Sequence, residues 1–176
     1  MFEDYLFDAY TFYCEAKADV NERDAKRKYR AAVFYLAGAM EAFVNYLAEG
    51  FNVSGLLHAQ ELAFIRDETI VLDTNNFTVR NRIEFHPLED KLKLLLKKYA
   101  PSYTFVTELS WTHLHNFKKL RDSLIHPRMT DDTNSLDEYR TLLEQAIRAE
   151  IDIMNRLVMG IYGKGIRRQL LDLIPE

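Results

Sequence analysis

Between Ala25 and Glu49 the chain places Tyr29, Val33, Leu36, Ala37, Met40, Phe43, Val44 and Leu47 three and four residues apart. Apolar residues at that spacing line one side of a helix, and the alternation of a strand does not bury them. A helix this long needs cover along most of one face, so the rest of the chain has to supply packing partners. It supplies helices. Phe2 to Asp19 sets Leu6, Ala9 or Tyr10, Tyr13 and Lys17 on successive turns, thickened by Tyr5, Phe7 and Phe12. The polar stretch Asn21-Glu22-Arg23-Asp24 separates this helix from the next. Gly50 follows the last apolar position of the long helix, where a left-handed cap favours glycine. Ser54 has the character of an N-cap for a third helix reaching about Asp67 through Leu57, Leu62, Phe64 and Ile65.

From Thr69 to Phe85 the periodicity lapses. Ile70-Val71-Leu72 and Phe77-Thr78-Val79 flank the turn-like Asp73-Thr74-Asn75-Asn76, a pattern that a small hairpin and an ordered loop satisfy equally. Pro87 suits the first turn of a helix that carries Leu88, Leu92, Leu95, Leu96 and Tyr99 and closes before Pro101. Thr107 to His126 is again helical and ends at Pro127. A last long helix begins near Ser135, with Asp137 and Glu138 in its first turn, and runs toward Met159. Gly160 and Gly163 mark its fraying end, and Lys164 to Leu173 reads as a short extra helix or a loose charged tail. The expectation is an all-α bundle of about five to seven helices forming one domain over residues 1–176, with a hairpin or loop insert at 69–85 and a tail at 160–176.

A chain of 176 residues is long enough for one real core. Six glycines and four prolines are too few for collagen or a low-complexity linker. The longest uninterrupted apolar run near the middle, Ala31 to Met40, stops at Glu41, short of the roughly 18 residues a membrane span needs. No membrane partner is expected on that ground. The acidic start Met1-Phe2-Glu3-Asp4 is unlike the basic start of a secretory signal, so a cytoplasmic location is expected. Cys14, the single cysteine, has no disulfide partner within the chain and reads as a small buried apolar residue. A net charge of −4 gives no overall attraction to nucleic acid, so any such contact must be a local basic patch.

The helix from Trp111 onward carries an anomaly. Leu114, Phe117, Leu120 and Leu124 define one face, and Arg121 projects into the same arc. A guanidinium there needs either an acidic partner or a groove kept open for an anion. Asp122 and His126 lie four residues apart and are within reach of each other. The unpaired carbonyls at the helix end and Asp122 both favour a cationic imidazole at His126, which suits proton transfer. Lys118, Lys119, Arg121 and Arg128 surround the histidine, a cluster that matches an anionic ligand such as phosphate. The structural alternative pairs Arg121 with Asp122 or Glu41 inside the bundle and leaves His126 as the end of a helix.

The stretch Leu120-Arg121-Asp122-Ser123-Leu124-Ile125-His126-Pro127 resembles the motif of the HEPN family (higher eukaryotes and prokaryotes nucleotide-binding), in which an Arg, commonly followed by a polar residue, precedes a His after four to six residues. In this chain the span is four. Ala39-Met40-Glu41-Ala42-Phe43-Val44-Asn45 is similar to the long HEPN helix that packs against the motif helix, and Pro87-Leu88-Glu89-Asp90-Lys91 to the segment between them. The resemblance covers about 25–157. It implies a helical domain that dimerises with two motif helices facing each other and, in many members, a metal-independent endoribonuclease without cofactor. Many such domains act in toxin–antitoxin or antiviral systems, often beside a minimal nucleotidyltransferase partner. Other members are inactive modules that bind RNA, nucleotide or protein.

For RNA cleavage the 2′-hydroxyl beside the scissile phosphate is the internal nucleophile, which removes the need for a metal cluster or a serine nucleophile. His126 is then the acid or base and Arg121 holds the phosphate, while Asp122 orients the imidazole or pairs with Arg121. Lys118, Lys119 and Arg128 are the expected substrate contacts. A second His126 from a partner chain supplies the complementary proton-transfer group.

Other motifs carry less. His113 and His115 point to nearly opposite sides of one helix and do not chelate one ion. Gly160-Ile161-Tyr162-Gly163-Lys164-Gly165 lacks the spacing and the hydroxyl residue of a phosphate loop. Asp131-Asp132-Thr133-Asn134 lacks the glycine and the distant glutamate of a calcium loop. Lys164, Arg167 and Arg168 read as a charged frayed tail, with contact to RNA or a partner as the alternative. Tyr103, Phe105 and Trp111 either line a groove near the motif helix or plug the corner after Pro101.

Overall fold

The computed structural model describes residues 1–73, 76–126 and 134–175. Among them the apolar stripes become seven helices and one two-stranded antiparallel hairpin, an all-α bundle with a small β insert. Helix α1 (Phe2–Ala18) buries Leu6, Ala9, Tyr13 and Ala16 and folds back along α2 (Glu22–Ser54). The turn between them is set by Asn21, whose side-chain oxygen accepts from the Arg23 and Asp24 N–H groups at 3.0 and 3.2 Å. Cys14 is exposed, contrary to the expectation of burial, because the buried stripe of α1 runs through its neighbours Tyr13 and Ala16.

Helix α2 is longer than its first apolar stripe predicts. It passes through Gly50 and ends at Gly55, whose φ of 66° is the left-handed conformation glycine adopts without a Cβ clash. Phe51 explains the extension: it is buried, so the stripe needs another turn, and Ser54 closes α2 instead of capping the next helix. Helix α3 (Ala59–Ile65) begins after His58, whose backbone N–H donates to Glu61 Oε2 at 2.8 Å. By length and composition, Glu22–Phe51 would suffice to cross a bilayer, which the count of uninterrupted apolar residues did not indicate. In this fold it is the central core helix, burying Ala32, Val33, Leu36, Ala39, Met40, Phe43 and Leu47 completely.

Within the expected insert the strands pair: β1 (Glu68–Asp73) runs antiparallel to β2 (Asn76–Ile83), with Val71 opposite Thr78 and an irregularity between Glu68 and Thr69, while Thr74 and Asn75 of the expected turn lie outside the described residues. Asp67, at φ 59°, turns the chain into the hairpin and clamps its base. One carboxylate oxygen accepts the His86 N–H at 2.8 Å and the other meets the buried Lys91 ammonium at 2.6 Å. Lys91 belongs to α4 (Leu88–Tyr99), which starts after Pro87.

Helix α5 (Leu109–Ile125) packs against α2 and against α6 (Leu136–Tyr162). Ser135 caps α6 reciprocally with Glu138, at 3.2 Å to the Glu138 N–H and 2.7 Å from its own N–H to Oε2. Stacked Tyr29 and Tyr139 rings, 5.8 Å apart, join α2 to α6, and the buried Tyr13 hydroxyl donates to Glu144 of α6. Gly160 lies inside α6 and not at a fraying end: a Cβ there would meet the Tyr99 carbonyl oxygen at 1.8 Å, so only glycine lets α6 pass the end of α4. The tail is docked and not loose. Helix α7 (Arg168–Leu171) buries Leu170, Leu173 is also buried, and Arg167 reaches Glu3 of α1 at 3.1 Å. Tyr103, Phe105 and Trp111 plug the corner after Pro101 in edge-to-face contacts, with the Tyr103 hydroxyl 2.9 Å from Ser110 Oγ.

Candidate functional site

Helix α5 turns Leu114, Phe117 and Leu120 into the core and leaves Arg121 at the edge of that arc, its side chain 24% exposed. The guanidinium is engaged on two sides. Its Nε and Nη2 donate to Asp122 Oδ1 at 3.0 and 2.7 Å, and Nη1 donates to Glu41 Oε1 of α2 at 3.3 Å. Asp122 therefore serves Arg121 and does not orient the imidazole of His126, which among the described residues has no side-chain partner. The reason is geometric: the short Asp122 side chain lies beside the inward-leaning arginine, and the chain leaves the helix at His126 (φ −118°, ψ 64°). The His126 N–H still closes the last turn onto the Asp122 carbonyl at 3.0 Å, and its ring is exposed at the C-terminus of α5.

The basic cluster read from the sequence is balanced in space. Lys118 lies 3.8 Å from Glu89 Oε2 and 3.9 Å from Asp122 Oδ2, and Glu89 also holds His115 Nδ1 at 3.0 Å. Lys119 is exposed on the adjacent side of α5. Arg128 and Pro127 lie outside the described residues, as do Asp131, Asp132 and Thr133. The ion pairs of Arg121 with Glu41 and Asp122 hold partners that are 56% and 42% exposed. Pairs of that kind are worth about 0–1 kcal/mol each, so a phosphate group with several charge-assisted acceptors can displace them.

Arg121 and Lys118 stand at the mouth of a cleft of about 270 Å³ between α2, α4, α5 and α6. Its walls are Met40, Leu88, Leu92, Leu114 and Phe117, with Glu41 and Glu89 at the rim. Glu150 of α6 lines it from below. That carboxyl is fully buried, and among the described residues neither oxygen has a hydrogen-bond partner. Burial first, and then the negative charge of Glu41, push its titration well above the ordinary carboxylate range. Both influences favour the protonated carboxyl over the carboxylate, and each unmet polar atom costs about 1–3 kcal/mol. Sequence reading passed over Glu150, although the signal was there: it falls within the stripe of Leu143, Ala146, Ile147, Ile153, Met154 and Leu157, as Arg121 falls within the stripe of α5. Among the described residues no three His, Cys, Asp or Glu side chains are grouped to hold a metal ion.

No family model, curated protein or solved structure matches this chain.

Proposed function

We propose that the protein is a HEPN-like, metal-independent endoribonuclease, a toxin or defence component acting in the cytoplasm as a homodimer. The observation that carries this reading is the placement of a partly buried arginine, Arg121, among the lining of a cleft on the helix whose C-terminus presents the exposed His126. Arg121 takes the scissile phosphate and the charge that develops on it as the RNA 2′-hydroxyl attacks phosphorus, exchanging Glu41 for phosphate oxygens while it keeps Asp122. His126 accepts the 2′-hydroxyl proton or donates to the departing 5′-oxygen, and the His126 of a second copy performs the other transfer. The exposed Ile125 beside it supplies apolar surface for that dimer contact. Asp122 positions Arg121, while Lys118 and Lys119 meet flanking phosphates.

Incubation of the purified chain with RNA in EDTA tests this. Cleavage is expected, and it falls by about 10²–10⁴ in His126→Ala and Arg121→Ala. Intact RNA with the wild-type protein overturns the assignment. A second reading, a noncatalytic module that binds RNA, nucleotide or a protein partner through the same face, is favoured by the two carboxylates already on Arg121. It predicts RNA bound but uncut. The toxin role predicts growth arrest on expression and none with His126→Ala. A nucleotidyltransferase antitoxin would relieve that arrest.

A further inference from the structure

Glu150 is the feature that the proposed chemistry leaves unused. A fully buried carboxyl with both oxygens unpartnered lies beneath a cleft whose mouth carries Arg121 and Lys118. We propose that this cleft is a nucleobase pocket, in which the Glu150 carboxyl pairs with the hydrogen-bonding edge of one base while Arg121 and Lys118 hold the phosphate attached to it. The proposal rests on the ribonuclease reading for which phosphate is cut, but not for the pocket itself.

Three observations converge on a base. Both oxygens of the buried Glu150 carboxyl are without a partner among the described residues, and in the protonated form that burial favours they set a hydroxyl donor beside a carbonyl acceptor, the complement of the adjacent N–H and acceptor that nucleobases present on one edge. The walls Met40, Leu92, Leu114 and Phe117 are apolar and suit the flat faces of a ring. The charges at the rim are mixed, Glu41 from α2 and Glu89 from α4 against Arg121 and Lys118 from α5, so that the anionic part of a ligand stays at the mouth and a neutral part enters. An amine ligand would instead require Glu150 in its ionised form, which both its burial and the neighbouring Glu41 oppose. Solvent does not reach the carboxyl, so the base edge must move a wall side chain aside. Met40, unbranched and adaptable, lines the same cleft.

The test is equilibrium binding of the full-length protein to a short oligonucleotide made uncleavable by 2′-deoxy sugars, to the same strand with one abasic position, and to free nucleoside monophosphates. Wild-type protein is expected to bind the intact strand about tenfold more tightly than the abasic one, from two added hydrogen bonds and the buried ring. Glu150→Leu removes that difference. Glu150→Gln, neutral and still carrying a donor and an acceptor, retains most of it. Tighter melting of Glu150→Leu shows that the loss is not misfolding. A pocket for free nucleotide predicts that the monophosphates compete at full strength, whereas an RNA subsite predicts weak competition and strong strand binding. Equal affinity for intact and abasic strands, or unchanged discrimination in Glu150→Leu, overturns the pocket. Loss in Glu150→Gln as complete as in Glu150→Leu shows an ionised carboxylate holding a cation and also overturns it. Base-dependent binding without RNA cleavage keeps the pocket and sinks the ribonuclease reading, and cleavage unaffected by Glu150→Leu does the reverse.

Discussion

Replacing Glu150 by glutamine is expected to change how stability depends on pH more than it changes stability at any one pH. In the folded chain Glu150 is fully buried without a partner and titrates well above the ordinary glutamate value of 4.5. The folded state therefore keeps a proton that the unfolded state releases once pH rises past that value. An acid raised in this way makes stability fall with increasing pH, from the unfolded pKa up to the folded one, and the loss levels off beyond. Inside that window the slope from one group is about 1.4 kcal/mol per pH unit. Glu41, Arg121, Lys118 and Glu89, which share the cleft with Glu150, are present in both proteins and cancel in the difference. Urea unfolding of wild type and Glu150→Gln from pH 5 upward should give curves that diverge by up to about this slope, with the wild type losing more, until the pH passes the folded-state titration of Glu150. Glu150→Leu should lie above both at pH 7, since no polar atom remains unmet. The gain of about 1–3 kcal/mol corresponds to several degrees in Tm at this chain length. Parallel pH profiles would show that Glu150 is ionised or partnered in the folded protein, and the reasoning about the cleft floor would fail.

Gly160→Ala should destabilise the protein by at least about 1–3 kcal/mol in thermal melts, because its Cβ would lie 1.8 Å from the Tyr99 carbonyl oxygen; a rise of about 1 kcal/mol, the ordinary helix-propensity gain, would show that α4 and α6 do not approach that closely. Asp67→Ala strips the buried Lys91 of its partner and the His86 N–H of its acceptor, and is expected to cost about 2–4 kcal/mol in urea unfolding, more than Asp90→Ala, whose contact with Lys93 is exposed. His126→Ala, at an exposed position, should leave Tm within about 1 °C while lowering RNA cleavage by about 10²–10⁴. Glu41→Gln frees one side of Arg121 and should tighten RNA binding, seen as a lower KM with unchanged kcat; a lower kcat instead would give Glu41 a part in the chemistry.

The helices were legible because each carries an apolar stripe with 3.6-residue spacing, and the stripes of α2, α4, α5 and α6 are the surfaces that meet. Their ends were less so. Gly50 and Gly160 both have the local character of helix terminators, yet both lie inside helices, since Phe51 and the α4–α6 crossing are tertiary facts that local chemistry does not encode. The insert at 69–85 stayed open between hairpin and loop because short β-rich runs carry no helical signal to exclude, and pairing decided it. Arg121 was visible as a charge within an apolar arc, and so was its pairing with Asp122 or Glu41 as an alternative; the structure shows both pairs at once. The balance of Lys118 by Glu89 was hidden, since the two residues come together only when α4 packs near α5. Phe34, Tyr35 and Tyr46, which lie off the apolar stripe of α2, are exposed, because α2 is not covered on every side.

In the proposed reaction Arg121 and His126 drive attack by the 2′-hydroxyl of RNA on its own phosphate. The most direct measurement compares, in EDTA, an RNA oligonucleotide with the same strand carrying a single 2′-deoxy sugar at the cleaved position. Expected are 2′,3′-cyclic phosphate ends from the first, no cut at that position in the second, and about 10²–10⁴ less cleavage with Arg121→Ala or His126→Ala. Cleavage of the 2′-deoxy strand at the same bond, or undiminished cleavage by either variant, would contradict it.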